Sequence, residues 1–363
     1  MCEDLRPFSK RVTVEGVRSI FRIKKYNTSI CLTPKAGSTF LKQLIYYLSD
    51  PKDLTNYKTN LIFKSFKDKL DYVTKIQTVV LNLERFSVHR LGDTSVRKSL
   101  DNYTQSSGLK VISVRNPYSR LFSAYLDKIY VPLMWQYVKR NFILNTTNVH
   151  ASSRENCYLY DVSFQTFLDN VIYLLKRGRA DRHWAPINDL CAPCSAKPDI
   201  LIRQESYTED VMSLLRFLNV SRSEYNAVAS MLNRSQGSLD REKTVIDLVS
   251  SSFKSLISSK FDSTCVPHVA EKMWHALQMT GHVPRQLMFP RDAVDRQPPT
   301  LKNLVAAFAN RTRDMTLSRH QMSTQRQFVL KHAYRSIDRN TVQEIQKLYY
   351  SDFKLFGYSL DIA

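Results

Sequence analysis

The feature that most limits what this 363-residue chain can fold into is a strand–turn–helix pattern that occurs three times. The β-prone runs Ser29–Thr33, Leu109–Val114 and Asp199–Arg203 are each followed by a turn and then by apolar residues at helical spacing. Strands that alternate with helices in this way favour a parallel sheet flanked by helices, which is the α/β class. Ligands of such sheets bind beyond the carboxyl ends of the strands, so functional residues are expected in the turns.

The three helices are predicted from apolar residues that recur every three or four positions. These residues are Phe40, Leu41, Leu44, Ile45 and Leu48 after the first strand, Leu121, Phe122, Tyr125 and Ile129 after the second, and Val211, Leu214, Leu215 and Leu218 after the third. From about Ser235 the sequence becomes amphipathic with few turn signals, which predicts a mostly helical segment over residues 235–340.

The turn after the first strand has the composition of an anion-binding loop. The turn and the start of the following helix consist of Pro34, Lys35, Ala36, Gly37, Ser38 and Thr39. The N–H groups and the positive dipole end of that helix converge on one spot, to which Lys35 adds a movable charge. The alternative is an ordinary strand-to-helix turn in which Ser38 is the N-cap.

The turn after the second strand carries a second candidate for anion binding. Arg115 follows this strand directly, and Ser123 lies eight residues later on the predicted helix. A guanidinium can grip a phosphate through two donors, and a hydroxyl on a helix can bind the same group. The alternative is that Arg115 is a surface charge, Ser123 fills a helix position and Arg120 belongs to a solvated face.

Together, the two turns resemble a known family. A P-K-x-G-S-T loop followed by V-R-N-P-Y-x-R-L-x-S-A-Y resembles the membrane-associated carbohydrate sulfotransferases, in particular the family of the chondroitin/dermatan 4-sulfotransferases and the HNK-1 sulfotransferase. Two further blocks, His183–Glu205 and Leu348–Tyr358, are similar to that family in the same order. The resemblance covers Ser29–Asn219 and Thr341–Tyr358, with Asn116 in place of the acid that commonly follows the arginine.

The resemblance implies a fold and a sulfuryl donor. The fold is the sulfotransferase fold, a P-loop-like parallel sheet flanked by helices over residues 28–363, in which 235–340 is a helical insertion atypical of the family. The donor is 3′-phosphoadenosine 5′-phosphosulfate. Its 5′-phosphosulfate binds the loop of residues 34–39, and its 3′-phosphate binds Arg115 and Ser123. The acceptor that the resemblance implies is a hydroxyl of a glycan, and the compartment that it implies is the Golgi lumen, with membrane association.

Sulfuryl transfer needs the charge on the departing phosphate to be neutralised and the acceptor hydroxyl to be deprotonated. Lys35 is the candidate for the leaving group, and the scheme requires no metal ion. His183 is the first candidate for the base, His89 the second and Glu205 the third. The alternative for His183 is a packed side chain that holds its segment in place.

Three aromatic residues near these motifs are candidates for stacking on a sugar or on the adenine. They are Trp184, Tyr125 and Tyr130. The alternative for each of them is packing in the core.

The chain carries 53 Lys and Arg against 33 Asp and Glu, a formal charge of +20 that favours a polyanionic partner. Nucleic acid is one such partner, but no recognised nucleic-acid-binding motif occurs. Within residues 291–340, Arg311, Arg313 and Arg319 are candidates for contacting an acidic glycan, and a solvated helical face is the alternative. A sulfotransferase with a small acceptor and a catalytically silent nucleotide-binding homologue are the other functional alternatives.

The cysteines and the N-terminus bear on the compartment. Cys191 and Cys194 form a lone C-x-x-C, for which a local disulfide or two buried thiols are expected, ahead of metal ligation. The sequence has six N-x-[ST] acceptors, which suits a secretory lumen. No apolar run is long enough to span a bilayer, so residues 1–27 are expected to be a lead without an anchor, either through truncation or because the chain reaches its compartment differently.

Overall fold

A computed structural model gives the fold of the chain. It describes residues 2, 20–49, 103–131, 134, 138, 157, 161–179, 181–234, 245–246, 248–250, 252–253, 265–295, 300–313 and 317–362. The chain divides into two compact units. The first unit comprises Met1–Arg120, Tyr173–Ser230 and Gln346–Leu360, and the second comprises Leu121–Ile172, Met231–Ile345 and Asp361–Ala363.

The first unit contains a four-stranded sheet with the strand order β1-β2-β3-β4. Its strands are β1 (Ile20–Ile23), β2 (Thr28–Cys31), β3 (Leu109–Val114) and β4 (Ile200–Arg203). The pairs β2–β3 and β3–β4 are parallel, with Ile30 opposite Val111 and Ile112 opposite Leu201. The predicted parallel α/β sheet is therefore confirmed, to within one or two residues at the strand ends.

The antiparallel edge strand β1 was not predicted from the sequence. It pairs with β2 from Ile20 opposite Cys31 to Ile23 opposite Thr28, across a 3₁₀ turn at Lys24–Tyr26. Only Ile23 of β1 is fully buried, and a four-residue strand that includes the exposed Arg22 gives too short a pattern to identify. The sheet is thus mixed, with a parallel centre.

Helices follow each of the three parallel strands, as predicted. The helices up to residue 234 are α1 (Ser38–Leu48), α2 (Pro117–Tyr125), α3 (Phe164–Lys176), α4 (Ile187–Cys191), α5 (Pro193–Ala196), α6 (Tyr207–Phe217) and α7 (Arg222–Arg234). Those beyond are α8 (Val266–Met279), α9 (Arg291–Asp295), α10 (Leu301–Thr312), α11 (Arg319–Arg335), α12 (Arg339–Leu348) and α13 (Tyr350–Leu355). A π-helical turn, Leu126–Tyr130, directly continues α2.

The core of the first unit forms between the sheet and the short helices α4 and α5. Ile112 and Val114 of β3 pack with Ile187 and Leu190 of α4, and all four side chains are almost wholly buried. Phe356, just after α13, closes the same cluster. Burial of these apolar side chains fixes the segment 185–196 against the sheet.

The second unit has its own apolar core around α8. Trp274 is fully buried, contacts Phe308 edge-on at 5.1 Å between ring centroids, and donates its indole N–H to the carbonyl oxygen of Leu287. Val269 and Met273, on the same helix, belong to this cluster. Within the part of the chain that the structure describes, neither unit holds a helix that is both long and apolar enough to traverse a bilayer.

The expected local pairing of Cys191 with Cys194 is wrong. Cys191 is joined to Cys31 of β2, and Cys194 is joined to Cys2, with Cα atoms 5.9 and 5.7 Å apart, inside the range a disulfide spans. Ala192, at φ 44°, turns the chain between α4 and α5, and each cysteine meets a partner distant in sequence. Cys157–Cys265, in the second unit, completes the pairing of all six cysteines.

Candidate active site

The carboxyl ends of β2 and β3 are tied together by two hydroxyl side chains. Thr33, just after β2, donates its backbone N–H to Oγ of Ser113 at 2.9 Å, and its own hydroxyl donates to the Ser113 carbonyl oxygen. Both residues are fully buried, so these bonds form out of contact with water. The turn that starts at Pro34 therefore leaves the sheet from a fixed point.

The Pro34–Gly37 turn needs two residues in left-handed backbone conformations. Lys35 has φ 69° and Gly37 has φ 74°. A Cβ on Gly37 would lie 2.2 Å from the ring of Tyr207, the first residue of α6, and 2.9 Å from Oε1 of Gln204. The Tyr207 hydroxyl also donates to the Gly37 carbonyl oxygen at 2.9 Å. Only glycine fits this position, both in conformation and in space.

The start of α1 differs from the ordinary capped turn considered above. Gly37 is the N-cap of α1, and no side chain caps the helix, so Ser38 is the first helical residue. Its first N–H groups and the positive end of its dipole are therefore available to an anion. Ala36 is buried, Ser38 is partly exposed and Thr39 is exposed. The predicted loop thus has the geometry of an anion-binding helix start.

Arg115 is brought to the same loop. It follows β3 directly, is partly exposed, and donates from Nη1 to the carbonyl oxygen of Lys35 at 2.9 Å. The two basic residues singled out from the separate motifs are thus neighbours. Ser123 lies on α2 and is partly exposed.

Arg120, which the sequence placed on a solvated face in one alternative, is a buried cation with 1% of its surface exposed. Its Nε donates to the Pro34 carbonyl oxygen at 3.0 Å, Nη2 to that of Arg182 at 3.0 Å, and Nη1 to that of Ala185. Burial lowers the pKa of its guanidinium, and the charges of Tyr349, Asp352 and Asp181 oppose that shift. Arg120 therefore clamps the loop start to the 182–185 segment.

His183 forms a pair with Asp181 that the sequence analysis missed. The imidazole Nδ1 lies 2.5 Å from Oδ1 of Asp181, and the backbone N–H of His183 donates to the same oxygen at 2.8 Å. Burial raises the pKa of Asp181, but the hydrogen bonds from His183 outweigh it, and the pKa lies below its usual range. A carboxylate at Nδ1 favours the neutral tautomer with the proton there, which leaves the lone pair on Nε2.

The neighbouring Trp184 packs in the core, which was the alternative to its stacking on a sugar or on the adenine. Trp184 is fully buried, whereas the side chain of His183 keeps 18% of its surface exposed. The carbonyl oxygen of Trp184 accepts a hydrogen bond from the hydroxyl of Tyr349, in the C-terminal block. This tryptophan is therefore a core residue and does not present its ring to a ligand.

Asp352, in the C-terminal block, positions the segment that follows His183. Asp352 is buried, and its two oxygens accept the backbone N–H groups of Ile187 at 2.7 Å and Asn188 at 2.8 Å, which caps the start of α4. Burial raises the pKa of Asp352 to about 7. A carboxylate at this helix start orients the segment that follows His183.

Glu205 links two motifs. Its Oε1 accepts the backbone N–H of Asn116 and its Oε2 accepts the hydroxyl of Tyr358, both at 2.9 Å. These bonds assign Glu205 to holding the turn after β3, which weighs against its use as a base. His89, the second base candidate, lies outside the described residues.

The arginines proposed for glycan contact are spread over α10 and the start of α11. Arg311 and Arg313 are exposed, and they donate to the Met288 carbonyl oxygen and to Oδ1 of Asn310. Arg319 is the first residue of α11. Among the described residues, no group of three or more His, Cys, Asp and Glu side chains is placed to hold a metal ion.

Comparison with known proteins shows which family and which individual proteins the chain is similar to. The profile of a protein family described as the sulfotransferase family matches residues 18–264. The chain is 26% identical to carbohydrate sulfotransferase 8 of Mus musculus over 225 residues, which is 60% of this chain and 48% of that protein. It is 26% identical to carbohydrate sulfotransferase 12 of Mus musculus over 248 residues, or 60% and 52% of the two chains.

A third relative, carbohydrate sulfotransferase 10 of Homo sapiens, is 25% identical over 209 residues, which is 54% of this chain and 51% of that protein. The chain therefore spans about half the length of the curated relatives it matches. No solved structure matches the chain significantly.

Proposed function

The chain belongs to the sulfotransferase family, and from that premise we propose that it transfers a sulfuryl group from 3′-phosphoadenosine 5′-phosphosulfate to a glycan hydroxyl. The observation that carries this proposal is the uncapped start of α1, with Lys35 in the loop before it and Arg115 bonded to that loop. Relatives at about a quarter identity are named carbohydrate sulfotransferases, which supports a glycan as the acceptor.

The donor is a nucleotide with two anionic ends, the 5′-phosphosulfate and the 3′-phosphate, and the two motifs offer two places to bind it. The loop 34–39 holds the 5′-phosphosulfate, through the N–H groups at the start of α1 and the ammonium of Lys35. Arg115 holds the 3′-phosphate. The buried Arg120 adds positive potential next to the loop and holds the Pro34 carbonyl oxygen by a hydrogen bond.

In the transfer step the bond between sulfur and the bridging phosphate oxygen breaks while the acceptor oxygen bonds to sulfur in line with it. Negative charge builds on the departing phosphate, where Lys35 neutralises it. The acceptor hydroxyl loses its proton to Nε2 of His183, since Asp181 holds the opposite ring nitrogen and stabilises the imidazolium that forms. His89 is the second candidate for this base. The scheme uses no metal ion.

The disulfides support a lumenal location. All six cysteines are paired, and disulfides persist in oxidising compartments such as the secretory lumen. Asn219 and Asn233, two of the N-x-[ST] acceptors, are exposed on the first and second units. We propose that the enzyme works in the Golgi lumen in association with the membrane, as the motif resemblance implies.

The experiment is label transfer from radioactive 3′-phosphoadenosine 5′-phosphosulfate to a panel of desulfated glycans. Lys35→Ala and Arg115→Ala are expected to abolish transfer, and Lys24→Ala, a change of an exposed lysine in the first unit, is the matched control. Transfer that survives both changes would falsify the site assignment. Transfer to phenols or steroids in place of glycans would point to a small acceptor. Donor binding without transfer to any acceptor would point to a catalytically silent homologue.

A further inference from the structure

The second unit contains a cavity of about 380 Å³, lined by aromatic and charged side chains, that the donor site does not use. Its wall includes Tyr130, Asp161, His268, Lys272 and His275. A volume near 400 Å³ lies at the lower end of the range of about 300–1,000 Å³ for small-molecule sites. The cavity therefore has the size for a small ligand or for one residue of a larger one.

The centre of the wall is a triad of charged and polar groups. Oδ1 of Asp161 accepts a hydrogen bond from Nζ of Lys272 at 2.7 Å and lies 3.0 Å from Nε2 of His268. Lys272 is nearly buried, and its ammonium lies 4.8 Å from the ring centroid of Tyr130. Only the lysine of this pair is buried, so the pair holds the Asp161 carboxylate in place at the cavity wall.

Two groups in this wall remain open for hydrogen bonds. Among the described residues, no hydrogen bond reaches Oδ2 of Asp161, and Asp161 keeps 40% of its side chain exposed. Within the same described set, no hydrogen bond or ion pair involves the partly exposed ring of His275. One group is an acceptor only, and the other can donate or accept.

The charges select the class of ligand. The carboxylates of Asp161 and Glu271 line the cavity and are already paired, with Lys272 and with Arg291, so no excess of positive charge among the described residues favours an anion there. An apolar ligand would cover Oδ2 of Asp161 and the ring of His275 without offering either a hydrogen bond. An uncharged ligand with many hydroxyl groups satisfies them, since each hydroxyl both donates to a carboxylate and accepts from an imidazole or ammonium.

The local backbone is irregular beside this cavity. Tyr130 is the last residue of the π-helical turn Leu126–Tyr130, and such turns occur frequently at functional sites. Tyr125, at the end of α2, lines the same cavity and is held by a hydrogen bond from its hydroxyl to the carbonyl oxygen of Val162 at 2.8 Å. The aromatic walls supply apolar surface for the carbon face of a ring.

We propose that this cavity binds one uncharged sugar residue of the acceptor glycan, with Asp161 and His275 hydrogen-bonded to its hydroxyl groups. The identity of the glycan as acceptor rests on the proposed function, whereas the sugar site itself does not. Tyr125 and Tyr130, singled out in the sequence as candidates for stacking, then serve the acceptor and not the adenine.

The test is isothermal titration of the full chain with two unsulfated probes, an N-acetyllactosamine tetrasaccharide and a chondroitin tetrasaccharide, in the absence of donor. At least one probe is expected to bind the wild type. Asp161→Asn and His275→Ala are each expected to weaken that binding tenfold or more. Asp295→Asn, which changes an exposed carboxylate of the second unit outside the cavity wall, is expected to leave it unchanged.

Two controls separate this proposal from the donor site. Lys35→Ala is expected to lose sulfuryl transfer but to keep the wild-type affinity for the tetrasaccharide. His275→Ala guards against misfolding, since that side chain makes no hydrogen bond among the described residues, and its melting temperature should match the wild type. The proposal is overturned if neither tetrasaccharide binds the wild type, or if both variants bind as tightly as it does. Loss of binding in the variants without any transfer by the wild type would uphold the sugar site and contradict only the proposed function.

Discussion

Gly37 and Tyr207 are in such close contact that a single Cβ at position 37 would come within 2.2 Å of the tyrosine ring. The contact joins the loop after β2 to the start of the helix that follows β4. It therefore fixes the backbone on which the proposed donor site depends.

Gly37→Ala is expected to destabilise the protein by more than about 2 kcal/mol, because a left-handed alanine costs about 1–2 kcal/mol and the ring must also move. Urea unfolding measures the change. Gly178→Ala is the matched control, since Gly178 has φ 65° but nothing within 4 Å of its Cβ position. It should show the backbone cost alone, and an equal loss in the two variants would contradict the role of the Tyr207 contact.

Arg120→Met is expected to lower the free energy of unfolding by about 2–5 kcal/mol, because three carbonyl groups, two of them in buried hydrogen bonds, lose their donor. Arg120→Lys should recover little of this, since one ammonium cannot reproduce the geometry of the guanidinium. Chemical unfolding of the two variants measures these losses in the free energy of unfolding. Arg216→Met, on the exposed side of α6, is the control, and a loss of similar size there would argue against the clamp.

Asp181→Asn is expected to lower kcat by about 10- to 10⁴-fold if His183 is the base, since the imidazolium loses its partner. The acidic limb of kcat/KM should move to lower pH, because a neutral amide no longer favours the protonated ring. The pH profile of transfer by the two proteins measures this. An unmoved limb would separate His183 from catalysis and leave it a structural residue.

Asp352 predicts a pH dependence of stability. Its folded-state pKa is raised to about 7, so the folded protein binds a proton that the unfolded chain releases nearer pH 4. The stabilisation is complete below pH 4 and is lost as the pH rises toward 7, by up to about 1.4 kcal/mol per pH unit. Unfolding of the wild type and Asp352→Asn between pH 4 and 8 measures the difference, and parallel curves would contradict the assignment.

The Cys31–Cys191 disulfide is expected to contribute about 2–5 kcal/mol, because it links residues 160 positions apart. Replacing both cysteines with serine should also weaken donor binding, since Cys31 lies three residues before Pro34. The Cys157–Cys265 pair, in the second unit, is the matched control. Its removal should lower stability but leave donor affinity unchanged, as measured by calorimetry.

The parts predicted from the sequence were those with local signals. β3 was predicted at its observed bounds, because six consecutive residues combine strand propensity with a following turn. The burial of Arg120 was not, since its acceptors at Arg182 and Ala185 lie about sixty residues away in sequence. The disulfide partners of Cys191 and Cys194 were not predicted either, because they lie 160 and 192 positions away in sequence. The Asp181–His183 pair, by contrast, had a local signal, since the carboxylate lies two residues before the histidine.

The central claim is that the loop of Lys35 and the neighbouring Arg115 bind the two charged ends of one nucleotide. Calorimetric titration tests it most directly, with 3′-phosphoadenosine 5′-phosphosulfate and with adenosine 5′-phosphosulfate, which lacks the 3′-phosphate. We predict that Lys35→Ala weakens binding of both nucleotides, and that Arg115→Ala weakens only the first, by about 10- to 150-fold for a lost charge-assisted bond of about 1.5–3 kcal/mol. Equal losses for both nucleotides in Arg115→Ala, or none in either variant, would contradict the account.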